Sequence, residues 1–385
     1  MANTLTGLIQ YVYDSVDVVS RELTGMIPAV YKNAAAEQVA KDQNITYDVV
    51  PDASLYDIAP ASAIPNLDAT TVGAGTMAIS KVKGVKFHWT GEDEKAVGRQ
   101  AKTGITNNKF AQAFRALANS IEADLAALYV NASRAYGTAG NTPFAAAGNF
   151  TDASFVAKIL KDNGAPASDL QLVIDTAAGA NLLGIQSQSH MQGSSNPLRY
   201  GELLNVFGMS IRESGQIKAH TKGTAASMDT DLTESLAVGD STIHVDTGTG
   251  TILAGDVVSF TGDTNKYVVK TGIATINGTA VTEGDFIIQA PGLRATLADG
   301  VDMTTVANYR ANMAFSRDAI HLLARLPLMP EGGDAADDVM VVQDPISGLF
   351  FQVAMYRAYR SVLFEVAIAW GVKAAKPEHI ALLLG

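Results

Sequence analysis

A chain of 385 residues with 39 acidic and 28 basic side chains has a formal charge of −11. It is long enough for two or three domains with their own cores, and its sign opposes tight binding to a phosphate backbone. Cysteine is absent, which excludes a disulfide framework, a thiolate nucleophile and a cysteine-type zinc site. Charged residues make up only 17% and apolar ones 47%, against ~25% charged in ordinary globular domains. Either surface is reserved for contacts between subunits, or the core is simply rich in Ala and Gly.

The start, MANTLTGLIQ, lacks the basic and long apolar stretches of a secretory signal. Leu8, Val12, Val16, Val19, Leu23, Met26 and Val30 recur every three or four residues, which predicts an amphipathic helix over 5–30, broken at Gly25. From 41 to 89 the character changes. The ends, 45–50 and 77–89, read as strands, and the middle is full of Pro, Ala, Gly and Asp. Such a segment cannot build a core of its own, so an extended hairpin or long loop leaning on something else is expected. Lys81, Lys83 and Lys86 fall on its second strand, near Asp93 and Glu94. These charges read either as a solvated strand face or as pairs with a neighbouring subunit.

The clearest helix follows, over about 107–136. Phe110, Phe114, Leu117, Ile121, Leu125, Leu128 and Ala132 form one stripe, with Asn107 or Asn108 as cap and Gly137 as terminator. At 1.5 Å per residue this is a rod of roughly 40 Å. Residues 153–215 read as α/β: helix SFVAKILKDNG, strand LQLVID, helix TAAGANLLGI, a polar loop, and a strand near MSIRES. From 223 to 306 the period drops to two. Ile243 and Val245, Val258 and Phe260, and Tyr267 and Val269 alternate between Gly, Asp and Asn turns, including Asn277-Gly278 and Pro291-Gly292. This predicts a small all-β domain inserted in an α/β host. The phrases LAVGD (236–240) and LAGD (253–256) read as two strand entries, with glycine making the turn and aspartate capping it. Beyond it, FSRDAIHLLARLPLM (315–329) predicts a short helix capped by Ser316, carrying Ile320 and Leu323 and ended by Pro327. The acidic loop EGGDAADD and the strand-like VMVV, LFFQVAMYR and SVLFEVAIAW complete the pattern. The last of these is too short to span a bilayer and contains Glu365.

Catalytic patterns are weak. His88, His190, His220, His244, His321 and His379 form no metal-ligating pair. His244 should face away from Ile243 and Val245, His321 reads as a structural residue on an apolar helix, and His190 in its polar loop is the one histidine worth testing. Gly248-Thr249-Gly250 reads as a turn, not a dinucleotide fingerprint. Asp229, Asp231 and Glu234 lack the spacing of a calcium loop and read as a solvated linker.

The order of elements, and three local segments, resemble the major capsid proteins of tailed bacteriophages that share the HK97 fold, and within them the phage P22 coat protein group. Trp370-Gly371-Val372 with Pro377-Glu378 is similar to that group's C-terminal Tyr-Gly-Val…Pro-Glu segment, with Trp for Tyr. NMAFSRDAIHLLARLPL (312–328) is similar to its Phe-His-Arg-Asp-Ala segment, with Ser316 for His, and LAGDVVSFTG resembles a strand entry in its insertion. The resemblance implies an α+β HK97-like capsid fold, with a long E-loop hairpin, a spine helix and an inserted barrel-like β domain. It places an N-terminal arm or helix at 1–40, the E-loop at 41–92 and a peripheral domain with the spine helix at 93–165. An axial domain would begin at 166–222, the insertion would occupy 223–306, and the chain would return to the host at 307–385.

It further implies a non-enzymatic protein without cofactor or metal, assembling as hexamers and pentamers into a virion shell around double-stranded DNA. Scaffolding, portal and decoration proteins would be partners, a membrane would not, and assembly would take place in the host cytoplasm. Lys81, Lys83, Lys86, Asp93 and Glu94 would be candidate contacts between subunits. An encapsulin-like compartment shell is the alternative, with a soluble enzyme built around His190 a distant third.

Overall fold

The computed structural model describes residues 23–49, 73–97, 99–146, 149–187, 196–201, 203–231, 235–245, 248–273, 284–344 and 347–385. Helix α1 (Met26–Ala29) is one turn long, with Met26, Ile27 and Ala29 buried, and it leads directly into strand β1 (Tyr31–Val39). The expected N-terminal helix therefore stops at Ala29, and most of its stripe lies outside the described residues. Strands β2 (Asn44–Val49) and β3 (Gly73–Ala78) pair antiparallel, Asn44 opposite Ala78 and Val49 opposite Gly73. The expected hairpin is present. Strand β4 (Lys81–Thr90) does not extend it but joins the body of the protein.

After the short helix α2 (Gly91–Val97) comes the long helix α3 (Arg99–Ala126), followed by a 3-10 segment at Ala127–Asn131 and strand β5 (Arg134–Gly137). The apolar stripe is correct, because Phe110, Phe114, Leu117, Ile121 and Leu125 are all buried. The ends are not. The helix begins eight residues before Asn107, so neither asparagine caps it, and Gly137 ends a strand. The α/β stretch follows expectation: α4 (Thr151–Asp162), β6 (Leu170–Ile174), α5 (Thr176–Gln186), the short α6 (Asn196–Tyr200) and β7 (Met209–Glu213). Asp175 caps α5 by accepting from the Ala178 N–H at 3.0 Å, and in α4 Asp152 and Lys161 complement the helix dipole at its two ends.

Short strands then dominate: β8 (Ala219–His220), β9 (Met228–Asp229), β10 (Thr242–Val245), β11 (Val257–Phe260), β12 (Lys266–Thr271), β13 (Gly284–Ile288) and β14 (Asp302–Thr305). The chain finishes with β15 (Tyr309–Ser316), β16 (Ile320–Pro327), β17 (Ala336–Gln343), β18 (Phe350–Ala358), β19 (Ser361–Ala374) and β20 (Ile380–Leu384). The helix expected over 315–329 is therefore two strands joined by a 3-10 turn at Arg317–Ala319. β16 lies between β1 and β19 and buries side chains on both faces. In so short a run, an apolar pattern of that kind does not distinguish a buried strand from a helix.

The strands form two large sheets. In one, the order is β1-β16-β19-β18-β17, with β4 along the other edge of β19. The second runs β7-β6-β15-β20-β5-β12-β11-β14-β9, and β10 and β13 are attached through β12. Helix α3 packs its stripe among Phe351, Val353, Val366, Ile368 and Trp370 of the first sheet. Helices α4 and α5 cover β6, β7 and β20 of the second.

The expected insertion has a core of its own. Met228, Ile243, Val245, Val258, Phe260, Tyr267, Val269, Phe286, Ile288, Leu293 and Met303 form one cluster drawn entirely from residues 225–303. Its continuity with the host sheet is narrow: Lys266 and Tyr267 of β12 pair with Ala135 and Arg134 of β5. The two Gly-Asp phrases are the same turn used twice. Asp240 Oδ2 accepts from the Ala237 N–H, and Asp256 Oδ2 from the Leu253 N–H, each at 2.8 Å. Gly239 and Gly255 sit at φ +101° and +91°, where a side chain would be strained. The Asn277-Gly278 turn lies outside the described residues. Residues 223–306 produced alone are expected to give a dispersed, β-type NMR spectrum. A collapsed spectrum would mean that the β5 edge is needed for folding.

Candidate assembly surfaces

Among the described residues the hairpin touches the body at its base, through the Tyr47 ring against His321, and through the Thr76 carbonyl, which accepts from Lys373 Nζ at 2.6 Å. Met77 and Ile79 pack with Val39, Leu323 and Ala369, whereas Gly73, Ala74, Thr76 and Ala78 are exposed. A Cβ on Gly371 would come within 2.0 Å of the Ala78 carbonyl oxygen, so glycine is required where the hairpin leaves the sheet. Next to it, the buried Trp370 donates from Nε1 to Asp124 Oδ2 of α3 at 2.9 Å. The other oxygen of Asp124 accepts from Lys81 Nζ at 2.7 Å. One carboxylate thus ties β4 and β19 to the long helix.

Lys83 shares the Lys81 face. Its ammonium donates to Ser120 Oγ at 3.0 Å and lies 5.6 Å from the Trp370 ring centre. Lys86 is on the opposite face of β4, exposed and directly across from Glu365. Asp93 accepts from the Thr90 N–H and hydroxyl at 3.2 and 2.7 Å. Those bonds hold its carboxyl below the usual range. The Glu94 backbone is in α2, and its side chain lies outside the described residues. Of the five candidate residues, Lys81 and Lys83 bond within the subunit, and Lys83, Lys86 and Asp93 are exposed.

Glu122, absent from the sequence-based candidates, anchors the N-terminal segment. Fully buried on α3, it accepts from the N–H groups of Met26 and Ile27 at 2.6 and 3.0 Å and from Ser214 Oγ at 2.7 Å. Burial pushes its carboxyl above the ordinary glutamate range, against the pull of those donors. The folded state therefore holds this proton to higher pH than the unfolded chain. The group favours folding most below the ordinary value of ~4.3 and progressively less as pH rises through its raised value. The difference in Tm between wild type and Glu122→Gln is expected to change in wild type's disfavour between about pH 4 and about pH 7. A constant difference in a thermal-melt series would contradict this.

A second buried group joins the inserted domain to the host. Asp256, 0% exposed, takes His220 Nε2 at 2.7 Å and the Gly223 N–H at 3.1 Å in addition to Leu253. His220 Nδ1 is 2.8 Å from the Tyr129 hydroxyl, just beyond α3. The nearby Tyr309 hydroxyl donates to the Gly255 carbonyl at 2.6 Å. The LAGD aspartate was legible as a turn cap but not as this anchor. The only sequence hint was a histidine three residues before the domain boundary.

The other histidines are dispersed. His244 lies on the outer side of β10, 2.7 Å from Asp285. His321 is on β16, not a helix, between the rings of Tyr31 and Tyr47, and burial lowers its pKa. His190 lies outside the described residues. Gly248 and Gly250 have φ of +102° and +99°, as a turn requires. Asp229 is half-buried on β9, opposite Asp302, and is not part of a solvated linker. Among the described residues no group of three or more His, Asp or Glu side chains is placed to hold a metal ion, and no helix is long and apolar enough to cross a membrane.

No family model matches the chain, and no curated protein matches it. Among solved structures it is similar to that of Mycobacterium phage Che8, with 14% identity and a TM-score of 0.45, covering 90% of this chain and 85% of that one. It is similar to the capsid of the cyanophage P-SCSP1u at 11% identity and TM-score 0.46, covering 92% and 89%. It is also similar to the virus-like particle of Pyrococcus furiosus at 9% identity and TM-score 0.44, covering 98% and 99%.

Proposed function

We propose that this chain is the major capsid subunit of a tailed bacteriophage, of the HK97-like fold and the P22 coat protein type. Many copies would close into an icosahedral shell of hexamers and pentamers around double-stranded DNA, with scaffolding, portal and decoration proteins as partners. In this reading the β2–β3 hairpin is the E-loop, α3 is the spine helix, and 223–306 is the inserted domain. The observation that carries it is the hairpin, which packs on its own subunit through Tyr47, Met77 and Ile79 and, among the described residues, leaves Gly73, Ala74, Thr76 and Ala78 exposed. An extended arm without a core of its own requires contacts from another chain.

The segments that carry the resemblance also occupy demanding positions. Gly371 is where the hairpin leaves the sheet, and the Ala319 carbonyl accepts from the Ala375 N–H at 2.8 Å, tying two of the resembling segments together. Lys86, Asp93 and Glu94 are the candidate contacts to neighbours. Lys81 and Lys83 would support them from within by holding β4 on the helix. Negative-stain microscopy of the purified protein, alone and with a scaffolding partner, is expected to show closed shells of uniform size. Persistent monomers under both conditions would refute the reading.

A further inference from the structure

The first sheet carries an exposed projection and, elsewhere on the same subunit, a cleft that suits it. The projection is the two-residue tip joining β18 to β19. Ala358 pairs with Ser361, leaving Tyr359 and Arg360 as the turn. Tyr359 is 92% exposed, and the tip is braced from behind by the Gly91 N–H donating to the Arg360 carbonyl at 3.4 Å. The cleft, about 130 Å3, lies where the segment after β16 passes over β18 and β19. Leu328, Met329 and Ala354 line it, and Asp334 and Glu365 contribute carboxylates. Leu328 is 60% exposed.

Gln352 also lines the cleft. It is 6% exposed, and its Oε1 has no hydrogen-bond partner among the described residues. A buried acceptor left unpaired is costly and rare in folded proteins. The oxygen is also closed to solvent, so a donor from outside reaches it only when the Gln352 side chain turns toward the cleft. The subunit's own Tyr359 cannot supply that donor, being five residues beyond Ala354 along an extended strand, or roughly 16 Å.

We propose that the Tyr359-Arg360 tip of one copy docks in this cleft on a second copy. As the tip enters, Gln352 turns toward the cleft and its Oε1 accepts from the phenol O–H, the ring packs on Leu328 and Met329, and the Arg360 guanidinium meets the carboxylates of Asp334 and Glu365. Tyrosine and arginine are the side chains that most often dominate such contacts. Tip and cleft are different surfaces of one subunit, so the contact is head-to-tail and propagates from copy to copy. The inference rests on the self-assembly reading and names one contact within it.

The chain has no cysteine, which permits a direct test. A Tyr359→Cys/Leu328→Cys double variant, mildly oxidised at assembly concentration, is expected to give a ladder of disulfide-linked oligomers on a non-reducing gel. Each single variant should stop at dimer. Tyr359→Ala should raise the concentration needed for association at least tenfold by sedimentation, and Tyr359→Phe less. Gln352→Leu should weaken association as Tyr359→Phe does while leaving the monomer's Tm unchanged or higher, which a purely structural glutamine would not do.

Wild-type-like association of a folded Tyr359→Ala, or no ladder from the double variant, overturns the contact even if closed shells form. A ladder without closed shells supports the contact and refutes the shell.

Discussion

Leu125→Asp is expected to leave no folded subunit. Leu125 is 0% exposed in the apolar stripe by which α3 packs on the first sheet. Removing the side chain to alanine would itself cost ~2–5 kcal/mol through lost transfer energy and the cavity left behind. Aspartate adds a charge, or the work of protonating it, inside an apolar cluster. The sum is comparable to the whole ~5–15 kcal/mol that separates folded from unfolded for a typical domain. Circular dichroism and gel filtration should show aggregate or unfolded chain, while Leu125→Met, conserving volume, should cost under ~1.5 kcal/mol. A soluble Leu125→Asp protein melting as wild type would place the stripe on a solvent face.

The second large effect is expected at the joint of the inserted domain. Asp256→Ala strips partners from His220 Nε2 and from the N–H groups of Gly223 and Leu253 at once. Breaking a buried, hydrogen-bonded charge by removing one side typically costs ~3–5 kcal/mol. The inserted domain keeps its separate apolar cluster, so the loss should fall on its attachment. Hydrogen exchange is expected to accelerate first around 220–225 and 253–256, and calorimetry should split one transition into two. Asp256→Asn retains one acceptor oxygen but turns an NH2 toward N–H donors, and should lie between wild type and alanine. An Asp256→Ala protein with wild-type exchange and a single unshifted transition would show that the remaining contacts, the β12–β5 pairing and the Tyr309–Gly255 bond among them, hold the domain.

These two sites show what local pattern contains and what it omits. Leu125 was readable because a helix repeats every 3.6 residues, so the stripe that must be buried is written within one turn-by-turn stretch. The inserted domain was readable for the same reason at period two, and its Gly-Asp turns because glycine and a capping carboxylate act on backbone only three residues away. The α4-β6-α5-β7 stretch was equally local.

What sequence could not decide depended on distant partners. β16 has a helix-like local pattern because its buried faces are created by β1 and β19, strands some 290 residues before and 50 after it in register. β4 was grouped with the arm because nothing near residue 85 records its pairing with Val366. Lys81 and Lys83 keep surface exposure, but their partners Asp124 and Ser120 on α3 are given only by tertiary structure. Glu122 and Asp256 looked like ordinary acids on a helix and in a turn. Their burial is a property of the packed elements around them, and only tertiary structure brings Met26, Ser214 and His220 within hydrogen-bond reach. Local periodicity determines which face of an element must be hidden, whereas the identity of the surface that hides it is set by contacts far apart along the chain.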